Sequence, residues 1–63
     1  MLTQESFVRG RGEVHSIKDI ISELDEILPS NTSGMSAADH IVDEFGVDMD
    51  DAERITEMWL NQI

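Results

Sequence analysis

The sequence predicts a mainly α fold, a small three-helix bundle over residues 16–63, and three observations predict it. Apolar residues recur every three or four positions in three separate stretches, the period of a helix that buries one face. Each stretch opens on a residue that caps helices, and the first two close on a proline and a glycine. Three helices with one apolar face each are the smallest set that encloses a core.

The first helix is expected near residues 16–28. Ser16-Ile17-Lys18-Asp19 follows the Ser-x-x-Asp capping pattern, and Ile17, Ile20, Ile21, Leu24, Ile27 and Leu28 share one face. Asp19, Glu23 and Glu26 mark the opposite side. Pro29 stops the helix, because proline disfavours the helical conformation in the residue before it. Residues 29–34 read as a loop. A second helix, 36–46, begins at Ser36 as N-cap with Asp39 behind it, carries Ala38, Ile41, Val42 and Phe45 on one face, and ends at Gly46. A third, 49–62, is capped by Asp48 or Asp50 and aligns Ala52, Ile55, Trp59 and Ile63. The expected core is Ile20, Ile21, Leu24, Ile41, Phe45, Ile55 and Trp59. Residues 1–15 have no helical period; Phe7-Val8 and Glu13-Val14 flank the Gly10 to Gly12 turn, so this lead-in is either a flexible arm or a short β-hairpin.

Ile41, Phe45, Gly46, Val47, Ala52 and Ile55 match the buried positions and turn glycine of the helix-turn-helix superfold, which the C-terminal pair of helices therefore resembles. The resemblance implies a DNA-binding scaffold. Its surface departs from that use: Val42 stands where the motif has alanine, and Asp48, Asp50, Asp51 and Glu53 occupy positions where a DNA reader presents groups to bases and phosphates.

Size and charge narrow the functional classes. At 63 residues the chain is one domain that buries about 60% of its unfolded surface, which leaves little room for a catalytic cleft. It has no cysteine to supply a disulfide or a thiolate metal site. No stretch approaches the ~20 apolar residues of a membrane span, and the N-terminal segment lacks a signal-peptide pattern, so a cytoplasmic location is expected. The net charge is −10. Within residues 1–15, Glu5 and Glu13 balance Arg9 and Arg11, so all ten net charges fall on the predicted helices. Such a surface repels nucleic acid and anionic lipid and steers toward basic protein surfaces.

No catalytic constellation is present: the serines, histidines and carboxylates show neither triad spacing nor a glycine-rich phosphate loop, and an enzyme is not expected. The run Asp48-Met49-Asp50-Asp51 starts like a calcium loop, but Ala52, Glu53 and Trp59 occupy its third, sixth and bidentate positions. His40 with Asp43 and Glu44 offers a divalent ion only one exposed helix face, which makes no selective site. No metal and no cofactor are expected. Asp39, Asp43, Asp50, Glu53 and Glu57 recur at helical spacing and are the expected partner-binding face, a row of charge resembling a phosphate backbone. The first functional reading is therefore a non-enzymatic binding or inhibitor module that docks on a basic, nucleic-acid-binding surface of a partner protein, in the manner of small acidic phage inhibitors that mimic DNA. The alternatives are a regulator or dimerisation module derived from a helix-turn-helix, and an ordinary domain of a salt-loving organism. Met58, Trp59 and Leu60 cluster at the end of the third helix and are the expected surface for self-association into a homodimer.

Overall fold

A computed structural model describes residues 2–62. The order of elements is β1 (Phe7–Gly10), β2 (Glu13–Ser16), α1 (Ile17–Ile27), α2 (Gly34–Phe45) and α3 (Met49–Leu60). The fold is mainly α, with an antiparallel two-stranded hairpin in front of three helices. Among the described residues no helix is long and apolar enough to cross a membrane.

Of the two expectations for the lead-in, the hairpin is the one that forms. Gly10 pairs with Glu13, so the connection is the two residues Arg11 and Gly12, both at positive φ (55° and 77°), as a type I′ turn requires. Alternation then points Val8 inward, where it joins the helical core, while Phe7 and Val14 stay on the outer face. The hairpin runs directly into α1: Ser16 is the N-cap, and the Ile17 amide donates to the Ser6 carbonyl at 3.1 Å.

Helix α1 buries Ile17, Ile20, Ile21 and Leu24, four positions of the predicted stripe. Helix α2 starts two residues earlier than the sequence reading placed it. Its N-cap is Ser33, whose hydroxyl accepts from the Ser36 amide at 3.2 Å, so Ser36 lies inside the first turn. Gly46 ends α2 as expected, in the left-handed conformation at φ 72°. Asp48 precedes α3 as its N-cap, with the acidic Asp50 and Asp51 in the first turn at the positive end of the helix dipole.

The core contains six of the seven residues expected in it, and Phe45 is the exception. Ala37, Ala38 and Ile41 form the buried face of α2, which rotates the helix so that Phe45 comes to the margin of the core, half-buried. There its ring stands edge-on to His15, with centroids 5.2 Å apart at 69°. Ile17, Val8, Ala52 and the turn residue Val47 complete the buried apolar set among the described residues. Ile63, expected to extend the α3 stripe, lies outside the described residues.

Helix α3 packs on both α1 and α2. Its tie to α1 is polar as well as apolar. Trp59 Nε1 donates to Asp25 Oδ1 and Gln62 Nε2 donates to Asp25 Oδ2, each at 2.8 Å, so both oxygens of one α1 carboxylate are used.

Candidate functional site, an acid-rimmed groove between two helices

Helices α2 and α3 are joined by three residues, a connection short enough to hold them side by side. Packing one helix on another buries one stripe of each and leaves the flanks open. On one flank a groove runs between the N-terminal part of α2 and the length of α3. Ala38 and Thr56, both buried, form its floor. Gly34 lines it beside Leu60, where a side-chain carbon on the glycine would lie 3.4 Å from Leu60 Cδ1. The walls are Met35, Met49 and Leu60, which are 80%, 43% and 43% exposed. Asp39 on α2 and Glu53 and Glu57 on α3 stand along the rim.

Three of the five acids expected to bind a partner, Asp39, Glu53 and Glu57, are thus brought to one feature from two helices. The other two lie apart from it. Asp43 is a turn further along α2, beside a shallow depression that Asp39 also borders, together with Leu28, Ser36 and His40. Asp50 is exposed in the first turn of α3.

Of the residues expected to self-associate, Trp59 and Leu60 share a small depression with Asp25, Ser30 and Gln62, and Met58 lies on another flank. Trp59 is 6% exposed, with its indole donating to Asp25. Leu60 opens on the groove, and Met58 faces the other flank with Leu2 and Arg54. Successive residues on a helix point about 100° apart, so three in a row cannot share one face.

The electrostatics of the rim follow from where the cations are. Among the described residues the one ion pair is Arg54 with Asp51, at 3.8 Å and largely exposed, which leaves Glu53 and Glu57 without a partner. Arg11 faces the C-terminal end of α2 instead: its Nη2 donates to the Asp43 carbonyl at 2.6 Å and its Nη1 to the Glu44 carbonyl at 3.4 Å. These are orphan acceptors of the helix end, and a guanidinium there also meets the negative end of the dipole. Among the described residues the acids of the groove form no ion pair, and Arg54 lies beside Glu57 on the neighbouring flank of α3.

Three buried polar atoms stand out among the described residues, one of them Glu23 Oε2 on α1. The Thr56 hydroxyl on the groove floor and His40 Nε2 on α2 are buried without a hydrogen-bond partner among the described residues. His40, Asp43 and Glu44 do not converge: among the described residues no three histidine or carboxylate side chains are arranged to hold a metal ion.

Compared with protein-family models, curated proteins and solved structures, the chain matches none.

Sequence reasoning singled out Asp39, Glu53 and Glu57 and, as a self-association residue, Leu60, and passed over Met35 and Met49. Met35 lies before the predicted start of the second helix, and Met49 sat among the capping acids. The available signal was the spacing of Met49, Glu53, Thr56, Glu57 and Leu60, a second stripe on α3 at i, i+4, i+7, i+8 and i+11.

Proposed function

We propose that this protein is a small non-enzymatic binding module that docks on a basic, nucleic-acid-binding surface of a partner protein and occupies it in place of a phosphate backbone. The observation that carries this reading is the set of carboxylates without an ion-pair partner among the described residues, Asp39, Glu53 and Glu57, presented by two adjacent helices on a chain of net charge −10. Uncompensated charge of one sign raises the encounter rate with a surface of the other sign. Asp43 and Asp50 extend the same field along α2 and α3.

In this reading the C-terminal half is a helix-turn-helix-like pair within a three-helix bundle, turned from nucleic acid to protein. Asp50, Asp51 and Glu53 at the start of α3 would face phosphate with like charge, which opposes the counterion release that drives DNA binding.

The test is kinetic. Host DNA-binding proteins recovered by heparin affinity should bind the immobilised chain, be displaced by added DNA, and bind more slowly as salt rises. Reversing Glu53 and Glu57 to lysine should slow association on the order of tenfold at low salt without changing the helical signal. Wild-type association by that double variant would reject the acidic face as the docking surface.

A further inference from the structure

Three of the six large apolar side chains left exposed, Met35, Met49 and Leu60, converge on the α2–α3 groove. The stripe that α3 presents there is continuous from Met49 to Leu60, about 16 Å at 1.5 Å per residue. That is the length of about three helical turns. Charge complementarity sets the occupant's sign. The three rim acids favour cations beside whatever covers the apolar walls, and they would meet their own copies in a symmetric dimer built on this groove. Helices also satisfy their own backbone hydrogen bonds, so neither wall offers the free edge that an added strand requires. Methionine side chains are flexible and polarizable, which suits them to receiving apolar residues of several shapes.

We infer that this groove receives a basic amphipathic helix from the partner, about three turns long. Its apolar residues, spaced i, i+3 or i+4, i+7 and i+11, seat on Met35, Met49 and Leu60, while its lysines or arginines face Asp39, Glu53 and Glu57. The inference rests on the reading of the acidic face as the docking surface and adds an apolar anchor to it. Electrostatics sets the approach, and the groove sets the residence time.

The test uses the full chain and fluorescent synthetic peptides of about 12 residues. One peptide is a leucine and lysine helix with a single apolar face. A second has the same composition with the leucines scattered around the helix. The first should bind at least tenfold more tightly than the second, and Met35→Ser with Met49→Ser should abolish most of that difference. Both methionines are exposed, so the double variant should keep its helical signal and melting temperature. Equal binding of the two peptides, or an unchanged ratio in the double variant, would overturn the groove inference while leaving docking by charge intact. Failure of both peptides to bind at low salt would remove the docking reading as well. A concentration-dependent dimer that Met35→Ser with Met49→Ser dissolves would assign the groove to a second copy and overturn the inference.

Discussion

Two residues with no apolar role fix how the parts meet. Gly10 packs closely on the end of α2, and a side chain on it would collide with the Phe45 carbonyl oxygen. Backbone cannot step aside as a side-chain tip does, so Gly10→Ala should destabilise the fold by about 1–3 kcal/mol, the usual penalty of overpacking. A denaturation midpoint equal to wild type would show that the hairpin does not press on α2. Asp25 is the second. It accepts from the buried Trp59 indole and from Gln62, so Asp25→Ala leaves a buried donor unpaired, at about 1–3 kcal/mol. Asp25→Asn keeps an acceptor and should lose less. If the two variants were equally unstable in urea, the indole hydrogen bond would not be what joins α1 to α3.

The helices show what a sequence of this kind makes legible. Periodicity and capping residues located all three, along with the glycine between α2 and α3, because those signals are local. The rotation of a helix about its own axis is not local. Ala37 against Ala38, and Phe45 against Ile41, are decided by the neighbours each meets, and a small residue can be the buried one where helices approach closely. The start of α2 was missed because Ser33 and Ser36 are both good caps, and Gly34-Met35 is a weak opening for a helix. Burial now orders the core energetically. Ile55→Ala, at a site with no solvent exposure, should cost about 2–5 kcal/mol, and Phe45→Ala should cost less, since its ring already meets solvent. Paired thermal melts in which Phe45→Ala is the more damaging would contradict the rotation of α2 described above.

Across the whole molecule, size and charge set the stability. The chain measures 31 × 21 × 19 Å and carries −10, whereas the Debye length is about 30 Å at 0.01 M salt and about 8 Å at 0.15 M. At the lower salt every acid interacts with every other, and at the higher salt only near neighbours do. The melting temperature should therefore rise across that range, and Glu53→Lys with Glu57→Lys, which takes the net charge from −10 to −6, should flatten the rise. A chain that stays unfolded at 0.15 M and folds only in molar salt would instead favour the salt-adapted reading. The candidate site divides along the same lines. Its acids were legible as a charge pattern, but its methionines acquired meaning only when α2 and α3 were brought together.

The contact of Arg11 with the end of α2 also carries a consequence for the order of folding. It joins residues 32 and 33 positions apart, and closing a loop of that length costs about 3 kcal/mol of chain entropy. The α2–α3 pair closes across only three residues and should assemble first, leaving the hairpin to dock after the rate-limiting barrier. Arg11→Ala should then accelerate unfolding while leaving the refolding rate unchanged, the behaviour of a clasp that snaps shut on an already assembled scaffold.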